Sequence, residues 1–299
     1  MEINLKNIMM KEIIPQKFLD FSINNYPVEN HKINFEAYFY NYFFSNNISS
    51  EYNYIPIQWT NYLVKNDYGK DLNEINNFLN KFIDKSKKYF TVVQYAGGPL
   101  VELDNTLIFS MGGAFNTPIK NKSKVIPLPL IYQTKKYPNN NYEKKYIGSY
   151  VGRPTHNVRI KLEKKLSKDK SFFIKNLEDM NSEISIDNQN IFKKTMLDSY
   201  FSICPRGFGP TSFRLYESII NGVVPVYISN NHFLPFEDKI DWNKFSIILK
   251  PRSINNISKI LKKEVDNGGY DEMKIELDNI KDIYFNFDFM SKYVCEKIS

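Results

Sequence analysis

Two arginines flank a glycine-rich turn in "SICPRGFGPTSFRLYESIINGVVPVYIS" (202–229), and Glu217 follows three residues after the second. A strand-like run, "YFSIC", delivers the chain to Pro205, and the turn Arg206-Gly207-Phe208-Gly209-Pro210 follows. Thr211 or Ser212 then suits the N-cap of a helix beginning near Phe213. Glycines admit a ligand close to the backbone. A helix start offers unpaired N–H groups and about half a positive charge to a phosphate. With Ser212 as N-cap, Arg214 falls in the first turn, where its fork can pair a diphosphate in a way lysine cannot copy. Glu217 lies one turn further on the same face, placed to accept bonds from the hydroxyls of a ribose. The same pair also reads as an ordinary i, i+3 helix ion pair worth a few tenths of a kcal/mol.

Other titratable groups are sparse. Glu102 and Asp104, just past Gly97-Gly98, are the carboxylates placed to take a proton, or else a solvated loop pair. His156 opens a helix as a phosphate contact or as an N-cap; His232 and His31 stand alone. Three isolated histidines make no metal site, and Asp-x-Asp occurs nowhere, so no obligatory divalent metal is expected. Trp59 among its tyrosines is a sugar-stacking platform or part of an aromatic core.

The elements that must position these groups alternate. "FEAYFYNYFF" (35–44) is too apolar for an exposed helix and predicts a buried one. "YNYIPIQWTNYLV" (52–64) reads as a short strand ending near Pro56, then a loop with Gln58 and Trp59. "DLNEINNFLNKFIDKSKK" predicts an amphipathic helix; "YFTVV" and "NTLIFS" predict strands stopping at Gly97-Gly98 and Gly112-Gly113. The polar stretch 132–145 reads as a linker. Beyond it the rhythm restarts with "KYIGSYVG", "HNVRIKLEKKL", "SFFIK", "NIFKKTMLDS" and "YFSIC". After the quoted loop, "VVPVYIS" and "FSIILK" are strands and "SINNISKILKKEVDN" a helix. Strand, glycine turn and helix in alternation predict an α/β fold of two domains, 1–135 and 146–299, with parallel sheets and a cleft between. The last helix is free to pack back on the first domain.

The segment "SYFSICPRGFGPTSFRLYESIINGVVPVYISNNHFLPFEDKIDWNKFSIIL" (199–249) resembles the C-terminal signature of the exostosin family, glycosyltransferase family 47. That signature runs through a proline–glycine loop to Ser-x-Arg-Leu-x-Glu, then Gly-x-x-Pro-Val and Leu-Pro-Phe…Asp-Trp…Phe-Ser. "YIGSYVGRPTHNVRIKLEKKL" (146–166) is similar to the strand–glycine loop and arginine-containing helix that open the same domain. The resemblance implies a GT-B arrangement of two Rossmann-like domains facing each other across a cleft. It implies an inverting transfer of a hexose or pentose from a nucleotide-sugar, expected to be a UDP-sugar, to a hydroxyl of a glycan or glycoprotein. By it, Gly148, Ser149 and Arg153 sit close to the donor, with Arg159 on the helix behind. Arg206, Gly207, Thr211, Ser212, Phe213 and Arg214 grip the diphosphate, and Glu217 the ribose. Trp59, Gly97 and Gly98 fall on the acceptor side, with Glu102 or Asp104 as base and Arg214 supporting the leaving group. Before residue 120 only "YIPIQWTNY" and "VIPLPLI" are similar to family members.

The whole-chain numbers agree with an anionic ligand. The 299 residues carry a net charge of +7, and the pI is near 9.0. Nucleic acid would also answer that charge, but motifs interleaving basic and aromatic residues are missing. A module that binds nucleotide or glycan without turnover is the third reading. Cys204 and Cys295 lack CxxC spacing, which points to a reducing compartment. Without an apolar leader or an apolar run of ~18 residues, a cytoplasmic enzyme of bacterial or viral type is expected, with no membrane span.

Overall fold

The computed structural model describes residues 13–22, 34–119, 122–131, 143–177 and 185–299. His31 and the expected linker, apart from 143–145, lie outside these. The chain divides into two compact units, Met1–Gln133 with Asn286–Ser299, and Thr134–Phe285.

The first unit contains α1 (Phe35–Ser45), β1 (Asn53–Tyr54), α2 (Trp59–Lys65), α3 (Asn73–Phe82), β2 (Tyr89–Val93), β3 (Thr106–Ser110) and β4 (Lys124–Pro127). Its four strands pair in parallel in the order β1-β2-β3-β4. Asn34 caps α1, accepting the Ala37 N–H at 2.8 Å, and Phe35, Phe39 and Phe43 repeat every fourth residue along one face. That face meets Tyr54 and Phe90, whose rings stack at 4.6 Å, so α1 is buried as its composition requires. Trp59, read as part of a loop, instead opens α2.

The first unit's two glycine turns pack on each other. A Cβ at Gly98 (φ +81°) would meet Ala114 Cα at 2.8 Å, and one at Gly112 would meet Ala96 Cα at 2.4 Å. Only glycine lets the two chains approach that closely.

One joint holds the carboxyl end of this sheet. Glu36, in the first turn of α1 and only 1% exposed, accepts the Gln94 N–H at 2.7 Å. It also accepts the Thr60 hydroxyl at 2.6 Å and the Thr60 N–H at 3.0 Å. It thereby ties α1 to the end of β2 and the start of α2. Burial raises its pKa to about 7 against these donors, which favour the charge.

The second unit contains β5 (Tyr146–Gly152), α4 (Asn157–Leu166), β6 (Phe172–Asn176), α5 (Ile186–Leu197), β7 (Ser199–Pro205), α6 (Phe213–Ile220), β8 (Val224–Ile228), β9 (Ile247–Leu249), α7 (Ile257–Asp266) and α8 (Gly269–Tyr284). Its five strands are parallel in the order β6-β5-β7-β8-β9. β7 and β8 are almost continuously buried, as strands covered on both faces are. α6 ends at Gly222 (φ +68°), where Gly222 N–H bonds Ile219 O and Val223 N–H bonds Ser218 O, both at 2.9 Å. These are the two bonds of a Schellman ending, and they turn the chain directly into β8.

The final helix, α9 (Phe287–Ile298), belongs to the first unit. There Phe287 packs on Phe35 with ring centroids 5.2 Å apart, and Tyr38 hydrogen-bonds Asp288. Both units are thus α/β with all-parallel sheets. Among the described residues, no helix is long and apolar enough to cross a membrane.

Candidate anion-binding site

The strand order of the second unit locates a ligand position before any side chain is considered. The chain leaves β5 for β6 on one side and returns to β7 on the other, so the winding direction reverses between β5 and β7. Connections from adjacent strands diverge there, opening a crevice beyond their carboxyl ends. The residues at those ends are Gly152-Arg153 and Arg206-Gly207.

Arg159, only 9% exposed, binds the two loops together. Its Nε donates to Arg206 O at 2.9 Å, Nη1 to Arg153 O at 2.8 Å, and Nη2 to Pro205 O at 3.3 Å. Its donors are spent on backbone, so it shapes the site instead of facing a ligand. Gly207 lies against it, since a Cβ there would stand 3.1 Å from Arg159 Nη2. Arg206, 7% exposed, gives Nη2 to Phe208 O at 3.1 Å and Nη1 to Asn230. Tyr227, whose hydroxyl lies 2.8 Å from Pro210 O, pins the far side of the loop. Within this buried loop Phe208 alone is turned outward.

Arg214 is held differently. Its guanidinium carbon lies 4.7 Å from the Tyr150 ring centroid and 4.6 Å from that of Phe192. Among the described residues, none of its N–H groups meets an acceptor, and no carboxylate pairs with Arg159, Arg206 or Arg214. Four more polar atoms nearby are buried without a hydrogen-bond partner among the described residues: Thr155 Oγ1, Arg206 Nε, Thr211 Oγ1 and Ser212 Oγ. Ser212 is the N-cap of α6, and its side chain makes no capping bond. Stranded buried polar groups of this kind cost about 1–3 kcal/mol each. Three neighbouring positive charges, with the Arg214 side chain at the start of a helix, make a site for an anion.

His156 caps α4, its Nδ1 accepting the Val158 N–H at 3.2 Å. Burial first, then the charges of Arg206 and Arg159, hold its pKa below the ordinary value. Thr211 is buried facing the Tyr216 hydroxyl. Glu217 is half-buried one turn beyond Arg214, and Phe213 opens the helix.

Several expected site residues lie elsewhere. Gly148 is inside β5, where a Cβ would meet Ile203 and Phe172; the glycine beside Arg214 is Gly152, four residues on. The Ser149 hydroxyl is buried and donates to Thr195 O at 3.1 Å. Trp59 is fully buried and donates its indole N–H to Thr91 Oγ1 at 2.7 Å, which makes it core and not a sugar platform. Gly97 is buried against Leu100 and Tyr95, and Gly98 against Ala114 and Thr117, so the space they free is filled by their own chain. Glu102 and Asp104 precede β3, next to Asn105, whose carbonyl accepts the Tyr89 N–H. They therefore stand at the amino end of the sheet, with Asp104 3.5 Å from Lys85, whereas ligands of parallel sheets bind at the carboxyl end. His232 is exposed and pairs with Glu237 at 2.6 Å. Tyr150, Thr155, Gly152, Phe192 and Asn230 were not legible as site residues. Each is an ordinary residue type whose place depends on which strands are neighbours.

Comparison with known proteins bears on the same region. A probable glycosyltransferase of Arabidopsis thaliana is 41% identical over 70 residues, 23% of this chain and 15% of that protein. The probable glucuronosyltransferase 47 A of Physcomitrium patens is 34% identical over 79 residues, 26% of this chain and 18% of its own. A probable beta-1,4-xylosyltransferase of Arabidopsis thaliana is 32% identical over 79 residues, 26% and 19% of the two chains. The matches thus span less than a fifth of these relatives' length. The crystal structure of TarM aligns over 73% of this chain and 56% of its own, with 10% identity and a TM-score of 0.43. The model of the Exostosin GT47 domain matches residues 91–263, which take in β2 through most of α7 and every residue of the arginine cluster. A match over more than half of the chain decides its kinship: this protein belongs to the exostosin GT47 family.

Proposed function

We propose that the protein is an inverting glycosyltransferase that moves a sugar from a nucleoside diphosphate donor, a UDP-sugar, to a hydroxyl of a glycan or glycoprotein. The observation that carries the reading is Arg214 at the start of α6, a guanidinium with no acceptor among the described residues, with Arg206 Nε and Ser212 Oγ likewise unpaired among them. A diphosphate supplies what these groups lack, namely negative charge and acceptor oxygens in a fork geometry. As the anomeric bond breaks, charge grows on the departing diphosphate, where fixed donors stabilise it most. Family membership and the probable glucuronosyl- and xylosyltransferases among the relatives support a sugar donor. Guanidinium and helix dipole do the neutralising, so transfer proceeds without a divalent ion.

The test is a thermal-shift screen against UDP, GDP and their sugars, followed by donor turnover with and without EDTA. UDP is expected to raise the melting temperature by mass action, and turnover to survive chelation. Absence of a shift with any nucleotide would remove the reading. Turnover lost to EDTA and restored by metal would remove only its metal-free part.

Gly152 gives a second expected result. A Cβ there would stand 2.9 Å from both Arg214 Nη2 and the Tyr150 hydroxyl. Gly152→Ala should displace the arginine head and press on the buried Tyr150 ring, at a modest cost in stability. UDP affinity is expected to fall about tenfold while the melting temperature moves by only a few degrees, roughly 1 kcal/mol of binding energy or more. Calorimetric titration of the variant checks this.

A further inference from the structure

We propose that Phe192 and Tyr150 are positioning residues, two rings that together hold the Arg214 guanidinium and present its N–H groups to the diphosphate. The inference rests on the diphosphate reading above and adds to it what aligns the Arg214 guanidinium.

Three separate elements meet at the clamp: Tyr150 in β5, Phe192 in α5 and Arg214 in α6. The guanidinium carbon is 4.7 Å from one ring centroid and 4.6 Å from the other, inside the ~6 Å range over which a cation is held by an aromatic face. Tyr150 is fully buried and its hydroxyl donates to Arg153 O at 3.2 Å, so that ring is fixed in rotation as well as position. Phe192 is half-buried on the outer side.

An arginine side chain ordinarily loses rotamer freedom on binding an anion, and that loss weakens binding. Contact with two rings from separate elements removes much of that freedom beforehand. The rings take up none of its N–H groups, because a cation held by ring faces needs no hydrogen-bond acceptor. A lysine ammonium has no flat faces to be gripped and would not be aligned in this way. Repulsion from Arg159, which lies near enough to couple with Arg214, pushes the head away, and the clamp opposes that push.

The experiment is isothermal titration of the full chain with UDP, using Phe192→Leu, Phe192→Tyr, Arg214→Ala and the Phe192→Leu/Arg214→Ala pair. Leucine keeps apolar volume and loses the ring, so UDP affinity should fall about tenfold; tyrosine restores a ring and should restore affinity to within about twofold. In the Arg214→Ala background, Phe192→Leu should cause no further loss, because the ring acts through the arginine. Near-native affinity in Phe192→Leu, or an equal loss with and without Arg214, would overturn the clamp. If Arg214→Ala loses UDP while Phe192→Leu does not, the clamp falls and the diphosphate reading stands. If the unaltered chain binds no UDP, both fall.

Discussion

Arg214→Ala is expected to lower donor turnover by about 10²–10³-fold while leaving the protein folded. The magnitude follows from removing one preorganised donor at the point where the leaving group gains charge. The retained fold follows from what Arg214 does not do: among the described residues its side chain bonds no acceptor, so its removal strands no partner. It also relieves the repulsion with Arg159. Stability should therefore change by no more than about 1 kcal/mol, the cost of uncovering two ring faces. Arg214→Lys should fall between, since it keeps the charge and loses the fork. Steady-state turnover of a UDP-sugar, with melting curves of the same preparations, makes the measurement. Unimpaired turnover in Arg214→Ala would take the residue out of the mechanism.

The second large effect concerns stability. Glu36 holds α1, α2 and β2 together through the N–H groups of Thr60 and Gln94 and the Thr60 hydroxyl. Glu36→Ala strands these buried donors, and a loss of roughly 3–4 kcal/mol is expected near pH 5, shrinking as pH rises. The pH dependence has a definite sign. Burial raises the pKa of Glu36 from 4.5 to about 7, so the folded state favours the protonated form. A raised pKa contributes stability that is fully present below the unfolded value and is lost as pH rises through the folded one. Between pH 5 and 7.5 that loss amounts to roughly 2–3 kcal/mol. Glu36→Gln cannot ionise, so its urea-unfolding free energy should lack this part of the slope, and the difference from the native chain should narrow as pH rises. Parallel slopes for the two proteins would show that Glu36 is ionised in both states across this range.

Glu36 also shows where local pattern stops being informative. In the sequence it is one acid inside an aromatic helix, and nothing near it marks the three donors it meets. Those arrive from residues 24 and 58 positions away. Glu102 and Asp104 are the opposite case. They follow a glycine turn, as catalytic carboxylates of α/β folds do, yet the chain has by then crossed to the amino end of β3. Proximity along the chain to a turn at one end of a sheet says little once a connection spans the sheet's length.

By itself the sequence determined the alternation of strands and helices, the glycine ending of α6, and the loop that carries Arg206 and Arg214 to a helix start. Hydrophobic period, caps and turns act within a few residues, so they are written locally. The fifty-residue signature likewise marked the family, because its residues lie in one continuous stretch. Only the tertiary structure decided that Gly152 and not Gly148 borders the site, that Trp59 is core, and that Tyr150 and Phe192 close on Arg214. Those outcomes depend on the order β6-β5-β7 in the sheet. Strand order is set by long-range burial of both sheet faces, to which no short window of residues gives access.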